Sequence, residues 1–153
     1  MAKKTDTEKL RDSKDFPRIV PISTKMSKRW GTGTIVIPTP MEVYELMSQI
    51  PNGKLATIND LRAALAKKHG ATIACPICTG IFARIAAGAS EEGRGVEKIA
   101  YWRTLKVGGV LNEKYPGGAE AQSKLLELEG HTVKKKGSRY IVENYGKKLA
   151  AFD

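Results

Sequence analysis

The stretch TPMEVYELMSQIPNGKLATINDLRAALAKKHGATIACPICTGIFARIAAGASEE, residues 39–92, decides the fold. Thr39 suits an N-cap, Pro40 suits the first helical position and Glu42 completes a capping box, so a helix opens there. Val43, Leu46, Met47 and Ile50 follow as one apolar stripe at helical spacing, and Pro51-Asn52-Gly53 ends it. A second helix opens after Thr57, with Asp60 three residues on. Leu61, Ala64 and Leu65 point inward, Arg62, Lys67 and Lys68 outward, and Gly70 stops it. A third begins near Cys75-Pro76, carries Ile77, Ile81, Phe82 and Ile85 inward, and runs to about Glu92. Two short helices and a third, joined through a glycine-containing connection, outline a helix-turn-helix, an outline that many small helical bundles share.

Downstream of this core, residues 101–111 alternate loosely and contain Gly108-Gly109, which predicts a strand and a turn. Residues 119–129 read as a helix closed by Gly130. Thr132-Val133 and Arg139-Tyr140-Ile141-Val142 flank Lys135-Lys136-Gly137-Ser138, a basic β-hairpin in the position of a wing. The predicted fold is therefore mainly α (α+β), a winged helix-turn-helix domain over residues 35–148 with a short β-hairpin wing. Upstream, residues 1–30 hold nine Lys/Arg (Lys3, Lys4, Lys9, Arg11, Lys14, Arg18, Lys25, Lys28, Arg29) against four acids (Asp6, Glu8, Asp12, Asp15). With so little to bury, they read as a basic arm that is mobile at least as far as Phe16 and tracks phosphates.

Composition narrows the partner. Lys plus Arg is 26 against 16 Asp plus Glu, a net charge of +10 on 153 residues, a length that suits one domain. Such an excess points to a polyanion, nucleic acid first, with plain solubility as the bland alternative. No apolar run approaches the roughly 18 residues of a membrane span. The start, Met1-Ala2-Lys3-Lys4, leads into charged residues and not into an apolar signal region. The two cysteines, Cys75 and Cys78, are too close together to staple a fold, which fits a reducing cytoplasm.

Four pieces of sequence, in order between Ile50 and Gly130, resemble the DNA-binding, catalytic domain of the O6-alkylguanine-DNA alkyltransferases (methylated-DNA–protein-cysteine methyltransferases). Ile50-Pro51-Asn52-Gly53-Lys54-Leu55-Ala56-Thr57 resembles the family's entry to the helix-turn-helix. Thr79-Gly80-Ile81-Phe82-Ala83-Arg84 resembles its recognition helix, ending in arginine. Ala100-Tyr101-Trp102-Arg103 stands where the family has Pro-Cys-His-Arg. Tyr115-Pro116-Gly117-Gly118, then Gln122, Leu125-Leu126 and Glu129-Gly130, resembles its closing segment.

The resemblance implies a recognition helix that enters the minor groove of double-stranded DNA. Arg84 would then fill the space left by an extruded guanine, with Lys54, Thr57, Ile58, Gly80 and Ala83 at the DNA. An exposed arginine on a phosphate is the alternative. Gly80, Ala83, Ala86, Ala87 and Gly88 suit either close approach to a groove or tight helix–helix packing. Ile58 stands where the family commonly has a tyrosine that hydrogen-bonds the backbone. The linker 90–98 has no match to the family's asparagine hinge. Around the altered box, Tyr101, Trp102, Arg103, Tyr115 and Glu129 either line a base pocket or, in the case of Tyr101 and Trp102, plug a vestigial one as core.

Alkyl transfer needs a thiolate, and neither a phenol nor an indole replaces it at neutral pH. Glu129 matches the family's relay glutamate, but Trp102 replaces the histidine between it and the nucleophile. No catalytic residue is therefore assigned. The chain is similar in this to the alkyltransferase-like proteins, non-catalytic relatives that bind alkylated DNA and hand it to other repair machinery, though they usually keep Trp-His-Arg. Two rivals stay open: an enzyme using Cys78 or Tyr101, and a plain DNA-binding module without damage sensing. Cys75-Pro76-Ile77-Cys78 lacks a second ligand pair for zinc and a preceding thioredoxin-like strand. It reads as Cys75 at the helix start and Cys78 in the core. No metal or cofactor is called for, and the expected state is a monomer.

Overall fold

The computed structural model describes residues 4–13 and 15–152. The first three residues and Lys14 of the basic arm lie outside the described residues. Its centre is three helices whose starts obey the local rules. α3 (Pro40–Ser48) opens on a Thr39–Glu42 capping box with Pro40 in its first turn, and α4 (Ile58–His69) on a Thr57–Asp60 box. The 17-residue α5 (Pro76–Glu92) follows Cys75, whose Sγ accepts from the Cys78 N–H at 3.3 Å. Glu42 also ties α3 to the end of α4, through His69 Nε2 at 2.6 Å and Lys68 Nζ at 2.8 Å.

The expectation of a separate arm over residues 1–30 is corrected by what those residues build. α1 (Asp6–Arg11) opens on a Thr5–Glu8 capping box and lies against α5, with Leu10 1% exposed in the core. Glu92, at the end of α5, accepts the backbone N–H groups of Asp6 and Thr7 at 3.0 and 2.9 Å, a carboxylate at the positive end of a helix. Gly88 makes the approach possible, since a Cβ there would collide with the Asp6 carboxylate. The count of charges concealed a helix with one deeply buried leucine and a docking contact 85 residues away in the chain.

β1 (Arg18–Pro21) pairs antiparallel with β2 (Thr34–Ile37), from Arg18↔Ile37 to Pro21↔Thr34. β2 in turn pairs in parallel with β4 (Ile73–Ala74), which lies between α4 and α5. α2 (Thr24–Trp30) connects β1 to β2. The remainder of the chain closes over the other end. β3 (Ala56–Thr57) pairs in parallel with β5 (Thr104–Leu105), α6 spans Gly118–Leu128, and β6 (Val133–Lys136) and β7 (Arg139–Val142) form the expected hairpin. Residues 101–111, expected as strand and turn, are instead two 3-10 turns (Tyr101–Arg103 and Val107–Gly109) around the two-residue β5.

Two apolar clusters result. Val36, Val43, Met47, Leu61, Leu65, Ala83, Ala86 and Tyr101 belong to the larger, and Leu55, Leu105, Leu111, Leu126 and Val142 to the smaller, with Trp102 packed against both. Gln122 wires them together. Its buried amide donates to Trp102 O at 3.0 Å, and its Oε1 accepts from the Asn112 N–H at 2.7 Å. No helix among the described residues is long and apolar enough to cross a membrane.

Candidate nucleic-acid interface

The helical wheel of α5 sorts its residues onto two faces. Thr79, Ala83, Ala86, Ala87 and Ser90 are buried, while Ile77 (63% exposed), Ile81 (44%), Gly80 and Arg84 lie on the outer side. Ile77 and Ile81, expected inward, are therefore corrected to the surface, and Ala83, expected at the DNA, is corrected to the core at 0% exposure. Positions 77, 81 and 84 repeat at i, i+4 and i+7, so they share one stripe with Arg84 and not with Ile85. The small residues Ala83, Ala86 and Ala87 serve helix packing. Gly80 alone keeps its outer side clear, with no atom within 4 Å of where a Cβ would stand.

Beside that face is a cavity of about 280 Å³, lined by Ile58 at the start of α4, by Ile77, Gly80, Ile81 and Arg84 of α5, and by Lys106, Asn112, Glu113 and Lys114. Arg84 makes no hydrogen bond or ion pair among the described residues. A guanidinium without a counter-charge, half-buried at the mouth of a cavity, is available to an anionic or planar ligand. Lys106 reaches Glu113 only at 3.3 Å, a solvent-exposed pair of little strength. Ile58, expected at the DNA, lines this cavity, and exposed Lys54 precedes it in the chain. Thr57 is different: it is 7% exposed, and its hydroxyl caps α4 by accepting from the Asp60 N–H, so the residue is corrected from ligand contact to helix cap.

The second group of predicted residues comes together, but as packed structure. Tyr101 is 2% and Tyr115 3% exposed. Tyr101 meets Trp102 and Tyr115 edge-to-face, with ring centroids 5.3 and 5.5 Å apart. Arg103 grips Glu129 through Nε and Nη2 at 2.9 and 2.7 Å, and its Nη1 donates to Ile50 O at 2.7 Å. The expected base pocket at Tyr101, Trp102, Arg103, Tyr115 and Glu129 is thus corrected to a plug of aromatic rings beside a structural ion pair. Lys106, Asn112 and Lys114, which sequence reasoning did not single out, face the cavity instead. They carried no helical or strand period that could have shown it.

The titrating groups agree with this division. Burial opposes ionisation of Glu129, but the hydrogen bonds from Arg103 outweigh it and hold the carboxyl below the usual range. Burial, then Glu91, pushes the Tyr101 phenol up to about 12. Burial and the hydrogen bond with Cys75 push the Cys78 thiol up to about 12, the opposite of an activated nucleophile. Cys75 is the more deeply buried of the two, which reverses the expectation that Cys78 would sit in the core. Among the described residues no cluster of His, Cys, Asp or Glu gathers as a metal site.

Two packed helices presenting an unpaired arginine, with a lysine-rich hairpin following, define a small mixed α+β domain. Among solved structures it is similar to S. pombe Atl1 in complex with damaged DNA containing O6-carboxymethylguanine, at 17% identity and a TM-score of 0.51, over 73% of this chain and 94% of that one. It is also similar to S. pombe ATL in complex with DNA, at 17% identity and a TM-score of 0.49 over the same shares. No family model and no curated protein matches. At that identity the first likeness establishes the fold: the chain has the α+β architecture of Atl1.

Proposed function

We propose that this protein is a non-catalytic, winged helix-turn-helix DNA-binding protein that recognises alkylated guanine in the minor groove and serves DNA repair. The observation that carries the reading is Arg84, unpaired on the open face of α5 beside a cavity bounded by Ile58, Ile81 and Lys114. Extruding a base costs a few kcal/mol of stacking and pairing, and a guanidinium inserted in its place offsets part of that. Ile77 and Ile81, large and exposed, suit the apolar contacts that minor-groove proteins press against sugars and base steps. The net charge of +10 and exposed Lys134, Lys135 and Lys136 of the hairpin supply phosphate contacts. S. pombe Atl1, whose fold the chain shares, is bound to damaged DNA containing O6-carboxymethylguanine, and that is the ligand class suggested here. The reading includes a monomer acting in the cytoplasm and passing the lesion to other repair proteins.

One observation favours a second reading. The family's base-receiving position is filled by Tyr101, packed against Trp102 and Tyr115, which suits a DNA-binding module that flips nothing. A duplex carrying 2-aminopurine opposite thymine separates the two. Damage sensing requires brightening with the wild type and not with Arg84→Ala, together with tighter binding of O6-methylguanine duplexes than of ordinary ones. Darkness with both proteins and equal affinity for both duplexes establishes the plain module.

A further inference from the structure

A second cavity, of about 660 Å³, lies outside the groove beside Arg84. It is walled by Met26, Arg29 and Trp30 of α2, by Arg62 of α4, by Ile73 of β4 and by Pro76 and Ile77 of α5. α2 is a seven-residue helix with no buried residue, so its place on the surface is not explained by core packing. Its last two turns are basic, with Lys25, Lys28 and Arg29, and none of these has a partner among the described residues.

Across the cavity Arg62 is held in one pose. Its Nε donates to Ala74 O at 2.9 Å and its Nη1 to Asn59 Oδ1 at 2.9 Å. Both acceptors are neutral, so the guanidinium is positioned without its charge being met, and among the described residues no carboxylate lines the cavity. An arginine on each of two facing walls, with aromatic and aliphatic side chains between them, suits a phosphate and the sugar or base attached to it. Ile77 belongs to this cavity and to the Arg84 groove, so the two adjoin at the start of α5.

We infer that the α2 cavity is a second DNA subsite, in which Arg29 and Arg62 hold a backbone phosphate of the strand leaving the α5 groove and Trp30 packs on the adjoining nucleotide. The inference rests on the DNA-binding reading above and extends its footprint beyond the lesion.

The test compares wild type, Arg29→Ala and Trp30→Ala on two duplexes, one trimmed to the segment under α5 and one lengthened at both ends. On the long duplex Trp30→Ala should lose roughly tenfold in affinity, the scale of one stacked base. Arg29→Ala should lower the slope of log affinity against log salt by about one, the signature of one phosphate. On the trimmed duplex both variants should match the wild type. Arg29 is exposed, so that variant remains informative even where Trp30→Ala is poorly folded. Variants that behave as wild type on both duplexes, or weaken equally on both, overturn the subsite while leaving DNA binding intact. Displacement of the long duplex from the α2 cavity by free dGMP as readily as by DNA makes it a small-nucleotide site and also overturns the inference. A wild type that binds neither duplex removes the DNA-binding reading itself, and this inference with it.

Discussion

Glu129→Gln is the substitution that best separates structure from chemistry in this chain. Arg103 donates to both Glu129 oxygens, from Nε at 2.9 and 3.1 Å and from Nη2 at 2.7 Å, while Nη1 takes Ile50 O at 2.7 Å. One side chain thus joins the 3-10 turn at Tyr101–Arg103 to the end of α6 and to the loop after α3. The two side chains keep only 15% and 11% of their exposure. Breaking a pair this secluded by neutralising one partner costs about 2–4 kcal/mol, below the top of the usual range because some solvent reaches it. For a domain of this length that lowers Tm on the order of 10 °C. The paired replacement Arg103→Met with Glu129→Leu should recover most of the loss, since it leaves no uncompensated charge.

The acid dependence has a defined sign. Glu129 titrates below 4.5 in the folded chain, so its contribution is present above the unfolded value and is lost as pH falls through the folded one. Glu129→Gln should therefore flatten the stability profile on the acid side only. Chemical denaturation across pH, beside duplex-binding affinity at pH 7, measures both. A variant with unchanged Tm that loses its preference for O6-methylguanine duplexes would refute the structural assignment, because Glu129 would then be acting at a ligand.

Three further outcomes are expected. Leu10→Ala should destabilise the protein by about 2–5 kcal/mol in urea titration, since Leu10 is 1% exposed between α1 and α5; a loss under about 0.5 kcal/mol would restore the separate arm. His131, 4% exposed with neither ring nitrogen hydrogen-bonded, has its basicity lowered by burial and then by Lys148. Stability should fall as pH drops below about 6.5, where the unfolded chain takes up the proton first, and His131→Leu should remove that part of the slope. Finally, intact-mass measurement after incubation with O6-methylguanine DNA should show no added methyl, because Cys78 is the only half-exposed thiol and its pKa is raised; a stoichiometric gain of one methyl would restore the enzyme reading.

What the sequence made legible was governed by local rules. The capping boxes at Thr39–Glu42 and Thr57–Asp60, the stop at Gly70 and the Gly137-Ser138 hairpin turn each depend on residues three or four apart, and each appears where expected. The failures are long-range. Nothing in the sequence around Asp6 announces Glu92 and Gly88 as the docking partners of α1. On α5, apolar character placed Ile77 and Ile81 inward, although a helix rich in alanine can bury its small face and leave its large residues outside. Residues 101–111 had strand composition, yet Gln122 draws the Trp102 and Thr104 carbonyls into its own amide and holds that segment in 3-10 turns beside β5.

The same reasoning explains why the aromatic box and the groove must be considered apart. A thiol–imidazole–carboxylate relay needs a carboxylate free to orient a base, and Glu129 is committed to Arg103. In the family pattern that the sequence resembles, Trp102 takes the place of the base and Tyr101 that of the thiol, which would leave the carboxylate no proton to manage. It becomes a partner for the one charge that would otherwise be stranded beside the core. The rings of Tyr101, Trp102 and Tyr115 then gain by packing on each other, which removes the volume a receiving pocket requires. Recognition, where it occurs, is displaced toward the surface that this packing leaves open: the cavity of Ile58, Ile81, Asn112 and Lys114, with Arg84 at its mouth.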